Sequence, residues 1–156
     1  MENIVNILRA GKNDLPKILE LQKIAYLSEA EIHNDYSIQP LNQSIEELER
    51  EYEKNIILKL INNNIIIGSI RAFEENNCVF IGKLIVHPEY QNKGYGTKLL
   101  LEIETYFKCK IFKLFTSSKS IKNLHIYKKN GYKEIKQEKG LGDIIFVYLK
   151  KIKPPN

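Results

Sequence analysis

The sequence predicts an α/β (α+β) chain, with a central mixed, mostly antiparallel seven-stranded sheet flanked by four helices. Three observations carry that expectation. Three β-rich runs follow one another between residues 56 and 86 with only asparagine-bearing turns between them. Helical apolar spacing occupies the segments on either side. A glycine-bearing loop lies where the last of these strands gives way to a helix. At 156 residues the chain is most simply one domain, residues 1–150, with a basic tail at 151–156, and it is long enough for a single sizeable core.

The elements follow in order. Asn3 to Arg9 reads as a first strand through Ile4, Val5, Ile7 and Leu8. Asn13 or Asp14 can cap a helix whose Pro16 is tolerated in the first turn, with Leu15, Ile18, Leu21 and Ala25 on its apolar face. A polar, irregular stretch is expected from Ser28 to Pro40. Ser44 with Glu47 makes a capping box for a short helix through about Tyr52. Ile56–Ile61 and Ile65–Phe73 form a hairpin around Asn62-Asn63-Asn64, because asparagine tolerates positive φ. Glu75-Asn76-Asn77 turns the chain into Cys78–Val86. After the loop, a helix carries Leu99, Leu100, Ile103, Tyr106 and Phe107 at helical spacing. Ile111–Thr116 is then parallel to the strand before it, since a helix crosses between them. Ser120–Asn130 is a helix ended by Gly131. Tyr132–Glu138 and Asp143–Lys150 close the chain as a hairpin around Gly140-Leu141-Gly142, and the lysine- and proline-bearing end is expected to fray.

The chemistry is concentrated in Val86-His87-Pro88-Glu89-Tyr90-Gln91-Asn92-Lys93-Gly94-Tyr95-Gly96-Thr97. Two glycines one residue apart allow a tight bend and close approach of a ligand to the backbone. A strand, a glycine loop and a helix N-terminus make an anion site, because unpaired N–H groups and the helix dipole both face the loop. Lys93 and Lys98 add charge, so the expected guest is a phosphate or pyrophosphate. The loop lacks the Gly-Lys-Ser/Thr ending of a P-loop, and Leu99 stands where a dinucleotide fingerprint needs a third glycine. A glycine turn that merely caps the helix is the competing reading.

The spacing Gln-x-x-Gly-x-Gly between such a strand and such a helix resembles the pyrophosphate-binding motif of the GNAT superfamily, the acyl-CoA-dependent N-acyltransferases. Gln91, Gly94 and Gly96 take its key positions, and the predicted element order matches the GNAT fold over essentially the whole chain. The resemblance implies an N-acetyltransferase that moves an acetyl group from acetyl-CoA to a small amine or peptide amine by direct attack. Acetyl-CoA would be the co-substrate, with no metal. The alternative is a CoA-binding or sensing module that has lost the reaction. A homodimer is an assembly common in the superfamily.

The resemblance also assigns roles. Main-chain N–H groups of Gln91, Asn92, Lys93, Gly94, Tyr95, Gly96 and Thr97 would hold the pyrophosphate. Main-chain groups of Leu84, Ile85 and Val86 would pair with the pantetheine amides, and a nearby N–H could polarise the thioester carbonyl. Tyr127, in Asn123-Leu124-His125-Ile126-Tyr127-Lys128-Lys129-Asn130-Gly131-Tyr132, matches the family's helix-borne general acid; its competing role is core packing. Ser120 or Asn123 would contact the CoA arm. Some members carry a glutamate on the strand before the loop, but Cys78 to His87 contains no carboxylate. The base or acceptor contacts are therefore sought in Glu29 and Glu31, with His33, Asp35 and Glu74 as further options, each also readable as a solvated surface charge. Glu29, Glu31 and Asp35 suggest an acidic rim for a cationic amine, with Tyr26, Tyr36 and Ile38 as apolar walls.

Composition narrows the partners. The chain is 43% hydrophobic and 28% charged, ordinary for a soluble globular protein. No apolar run approaches a membrane span, the N-terminus shows no signal-peptide pattern, and Cys78 and Cys109 have no paired spacing, which together predict a cytoplasmic protein without a membrane partner. A net charge of +5 favours anionic partners. The basic residues are scattered and no aromatic-basic RNA motif is present, so a polyanionic cofactor is favoured over nucleic acid. His87 belongs to a strand-ending turn and His125 to a helix surface; neither has metal-ligand company.

Overall fold

Antiparallel pairing builds most of the sheet. In the computed structural model, which describes residues 4–155, β1 (Val5–Arg9), β2 (Ile56–Asn62), β3 (Ile65–Glu75) and β4 (Cys78–Val86) pair antiparallel in sequence order. Asn3 and Asn156, at the ends of the predicted first strand and tail, lie outside the described residues. β5 (Ile111–Ser117) joins β4 in parallel, and β6 (Lys133–Lys139) and β7 (Ile145–Ile152) complete a seven-stranded sheet. The strand order is β1-β2-β3-β4-β5-β7-β6, so the expected seven-stranded mixed sheet is present. β7 runs through Ile152, two residues past the predicted strand end at Lys150, because Ile152 pairs with Ile111. Lys153 then donates its N–H to the Lys110 carbonyl at 2.8 Å.

The turns show why these residues connect these strands. Asn63 and Asn64 sit at φ 50° and 66°, and Asn76 and Asn77 at φ 52° and 61°. Two consecutive left-handed residues match the twist of the flanking strands, and asparagine tolerates that region. β6 is exposed at every position, and the alternating Lys and Glu along it suit an edge strand that must not template further pairing.

Among the described residues five helices, rather than four, pack on the sheet. α1 (Leu15–His33) follows a short 3-10 turn at Lys12–Asp14. The Asp14 carboxylate, expected to cap α1, instead accepts the Gly11 N–H at 2.8 Å and the Lys59 ammonium at 2.9 Å. α1 also overruns its prediction. Ser28 to His33, read as irregular, is helical because Ala30 is fully buried and Asn34, at φ 50°, ends the helix. The one-turn α2 (Gln39–Asn42) is the unpredicted helix. α3 (Ile45–Lys54) begins with the Ser44 half of the predicted box: Ser44 Oγ accepts the Glu47 N–H at 3.1 Å, while the Glu47 carboxylate accepts the Ser44 hydroxyl, also at 3.1 Å. α4 (Tyr95–Glu104) stops before Tyr106 and Phe107, which fall in the turn beyond it. α5 (Ile121–Lys129) closes on Gly131 at φ 94°, with the Tyr132 N–H on the Tyr127 carbonyl at 3.0 Å.

Each face of the sheet has its own core. α1 and α3 bury Leu15, Ile18, Leu19 and Leu48 against Ile57. On the other face Leu99, Leu100 and Ile103 of α4 pack with Leu58, Leu60, Ile70 and Phe112. The adjacent residues Ile57 and Leu58 serve opposite faces, as strand alternation requires. Glu104 is the one carboxylate among the buried polar residues described. It accepts from the Tyr132 hydroxyl at 2.7 Å and from Lys151 at 2.9 Å, tying α4 to β7. Removing one member of a buried, hydrogen-bonded ion pair strands the other. A Glu104→Ala variant is expected to lose about 3 kcal/mol of stability, read as a lower urea midpoint; an unchanged midpoint would refute that role.

Candidate functional site

The sheet opens where β4 and β5 part. Their parallel pairing is confined to Val79–Phe112 and Phe80–Lys113, so β4 beyond Phe80 has no strand on that side. A bulge lies in the opened segment: Ser69 faces Ile85 and Arg71 faces Gly82, which leaves an extra residue in β4. Lys83 takes up that excess at φ 53°. Bulges increase local twist, which turns the end of β4 away from β5. Ile81 to Val86 thus offer main-chain groups to an extended guest.

Two cavities meet at this split. A cleft of about 810 Å³ is walled by Leu84–Val86, the loop before α4, the end of α1 and α5. A groove of about 840 Å³ runs over the sheet face beside α3 and is lined by Gly82 and Lys83, together with residues of β3, β5, β6 and β7. Lys83 faces the groove while its neighbour Leu84 faces the cleft.

The cleft wall contains the tight glycine bend that the sequence predicts before α4. Asn92 and Gly94 both have left-handed backbone, at φ 65° and 83°, and curl the loop into a concave nest. No side chain caps α4, and its first intrahelical bond runs from the Lys98 N–H to the Gly94 carbonyl at 3.1 Å. The N–H groups of Tyr95, Gly96 and Thr97 therefore have no intrahelical acceptor, at a cleft these residues line. Gly96 is small for a reason: a Cβ there would lie 3.0 Å from Ile126 Cδ1, a cleft-lining neighbour. Gln91 acts as a brace. Its side-chain N–H donates to the Val86 carbonyl at 3.0 Å, and its Oε1 accepts from Lys122 at 3.3 Å. The Val86 carbonyl is thereby engaged inside the protein. Lys93 stands over the Tyr90 ring at 5.8 Å and lies outside the cleft lining.

Of the two candidates on α5, Asn123 lines the cleft and Ser120 lines it with its hydroxyl committed. Ser120 Oγ donates to the Glu29 carboxylate, whose other oxygen stands 3.7 Å from His33 Nε2. His33 Nε2 in turn lies 2.7 Å from Ser117 Oγ. This network binds the end of α1 to the start of α5, so Glu29 reaches the cleft as a tethering group. Glu31 and Glu74 are exposed and line neither cavity. Asp35 accepts from the Ser37 N–H at 2.9 Å and its hydroxyl at 2.5 Å, which hold its carboxyl below the usual range. The acidic rim is therefore not assembled. α1 carries Glu29 inward and Glu31 outward, and Asp35 is spent in its own turn. Tyr36 is exposed and, like Ile38, is not a wall of either cavity, whereas Tyr26 lines the cleft. Burial, with Glu29 close by, pushes the Tyr26 phenol up to about 12.

Tyr127 is 4% exposed and lies behind the cleft wall, its ring 6.1 Å from that of Tyr132. Burial, and then Tyr26 and Glu29, raise its phenol far above the ordinary value. It therefore stays protonated and keeps its O–H as a hydrogen-bond donor.

Residues that sequence reasoning missed are cationic. Lys119, Lys122 and Lys129 line the cleft beside Ile126. Lys122, Ile126 and Lys129 share one face of α5, a signal that was present in the sequence, while Lys119 stands in the turn before it. Lys83 and Arg71 are the principal omissions in the groove. Burial first, and the Arg71 charge second, lower the Lys83 ammonium to about 8, with Glu51 opposing.

The comparisons with known proteins agree with this geometry. Residues 15–132 match the model of the Acetyltransferase (GNAT) family. The amino-acid acetyltransferase of Escherichia coli strain K12 is 29% identical over 143 residues, 85% of this chain. The chain spans 28% of the length of that relative. Among solved structures, the ribosomal-protein-S18-alanine N-acetyltransferase of Escherichia coli superposes with a TM-score of 0.81 at 14% identity, over 98% of this chain and 97% of that one. The PaiA N-acetyltransferase of Thermoplasma acidophilum, solved in complex with coenzyme A, gives 0.73 at 22% identity, over 96% and 99%. These likenesses show a shared fold. Among the described residues no helix is long and apolar enough to cross a membrane. With a family model covering most of its length, the chain belongs to the GNAT acetyltransferase family.

Proposed function

We propose that the chain is an acetyl-CoA-dependent N-acetyltransferase acting on the primary amine of a small molecule or peptide by direct attack. The observation that carries this reading is the opening of the sheet beside a left-handed nest, which sets free β4 main chain and unpaired α4 N–H groups around one cleft. The N–H groups of Tyr95, Gly96 and Thr97 bind the pyrophosphate, and Lys119, Lys122 and Lys129 supply charge for further phosphate. Leu84 and Ile85 align the pantetheine arm. Val86 serves mainly to anchor Gln91, given the carbonyl contact above. Acetyl-CoA supplies the activated acyl group.

The acceptor amine approaches from the groove and meets the thioester at Lys83–Leu84. Lys83 is the proton acceptor in this reading: with its value lowered to about 8, a minority of its amine is already neutral near physiological pH, and it faces the acceptor side. The proton passes from the acceptor nitrogen to Lys83 Nζ, the C–N bond forms, and the C–S bond breaks to release thiolate. Tyr127 stabilises the leaving sulfur as a hydrogen-bond donor. Its phenol is too weak an acid to give up the proton fully to a group of ordinary thiol pKa. A Tyr127→Phe variant should then lose about tenfold in kcat, the worth of one hydrogen bond near 1.5 kcal/mol, with little change in CoA affinity. Unchanged kcat, where chemistry limits the rate, removes Tyr127 from the mechanism.

The burial of Tyr127 behind the wall favours a second reading, a CoA-binding module without turnover. Release of free thiol from acetyl-CoA across an amine panel separates the two. Amine-dependent thiol supports the enzyme; tight CoA binding with no thiol from any amine supports the module.

A further inference from the structure

Arg71, at the floor of the groove, is 3% exposed. Its guanidinium is held on two sides. Nε stands 3.3 Å from the Glu51 carboxylate, and Nη2 donates to Gln22 Oε1 at 2.5 Å. Gln43 locks the arrangement by donating to Glu51 at 2.9 Å. Nη1 is buried with no hydrogen-bond partner among the described residues. A buried donor without a partner is costly, and a guanidinium gripped along its other edges is preorganised for one more acceptor. The rest of the groove has the same sign. Arg50, Lys83 and Lys113 line it with no ion pair among the described residues, while Glu51 is spent on Arg71 and Glu47 on the α3 cap.

We infer that this groove selects an acceptor amine that also carries a carboxylate, with Arg71 Nη1 as its anchor and the groove cations as its field. The inference rests on the acetyltransferase reading and deepens it. It also reverses the expectation of a cationic acceptor. A diamine would meet Arg71 and Lys113 with like charge, and such juxtaposition is strongly unfavourable. With Nη2 and Nε engaged, Nη1 is left to donate one charge-assisted hydrogen bond to a carboxylate oxygen. Phe73 and Phe80, stacked at 5.4 Å along the groove, offer apolar surface for a short methylene chain between the anion and the amine.

The test compares 4-aminobutanoate, n-butylamine and 1,4-diaminobutane, whose amines are alike, by initial rates of thiol release. The expected kcat/KM order is carboxylate, neutral amine, diamine, with at least about tenfold between first and last, as a charge-assisted bond implies. In Arg71→Gln the ratio of 4-aminobutanoate to n-butylamine should collapse towards one. Lys113→Gln, remote from the buried network, should reduce the same ratio partially if Arg71→Gln fails to fold. A diamine turned over as well as 4-aminobutanoate would overturn the inference while leaving the acetyltransferase intact. If no amine releases thiol, calorimetry of the CoA-saturated protein with 4-acetamidobutanoate and N-butylacetamide still decides the matter. Selective binding of the carboxylate supports it, and equal or absent binding overturns it.

Discussion

A Gly94→Val variant should lose coenzyme A binding by roughly a hundredfold, while its fold survives. Gly94 sits at φ 83° with nothing within 4 Å of a would-be Cβ. Space is therefore not the constraint. The backbone is: a left-handed conformation costs an L-residue roughly 1–2 kcal/mol, more when it is β-branched. The cheapest relief is rotation of the Asn92–Tyr95 backbone out of its nest. That swings the α4 N–H groups off their common focus, and each charge-assisted bond lost costs about 1.5–3 kcal/mol. Calorimetry with coenzyme A measures the loss, and circular dichroism shows that the helices persist. Gly96→Val adds a second test by a different cause, since its side chain would press on Ile126. Wild-type affinity in both variants would mean that the loop caps a helix and binds nothing.

Lys83→Met is expected to lower kcat by about a hundredfold or more, the usual worth of a general base, with coenzyme A affinity retained. The pH profile carries the sharper sign. Lys83 works only when neutral and its value is lowered to about 8, so wild-type kcat should climb as pH rises through that value. In the methionine variant this inflection should vanish, leaving only the acceptor amine's own ionisation. Linkage supplies a control. A lysine whose folded pKa is depressed is held charged at a cost below about 8, and the penalty fades as pH rises towards the unfolded value near 10.4. The variant should therefore be no less stable than wild type at pH 7, so lost activity is not lost fold. A rate equal to wild type, or an inflection that persists, would assign the proton to water or another group.

Much of the fold was legible because its signals are local. Asparagine pairs at two turns, a Ser44 helix cap, a glycine after α5 and strand alternation each act within a few residues. All of them appear where they were read. The errors arose where tertiary contacts override local preference. Ser28–His33 looked polar and irregular, yet a buried Ala30 and the Glu29–Ser120 contact hold it helical. Tyr106 and Phe107 continued a helical period, but α4 ends at Glu104.

By itself, the sequence determined the tight glycine bend before α4 and the order of elements around it, since backbone dihedrals and apolar period are properties of neighbouring residues. Only the tertiary structure decided which groups share a cavity. The bulge that turns Lys83 into the groove, the burial that lowers its pKa, the clamp on Arg71 and the diversion of Glu29 to Ser120 all join residues far apart in the chain. Charge chemistry depends on what surrounds a group and how dry it is, and those conditions exist only once both faces of the sheet are packed.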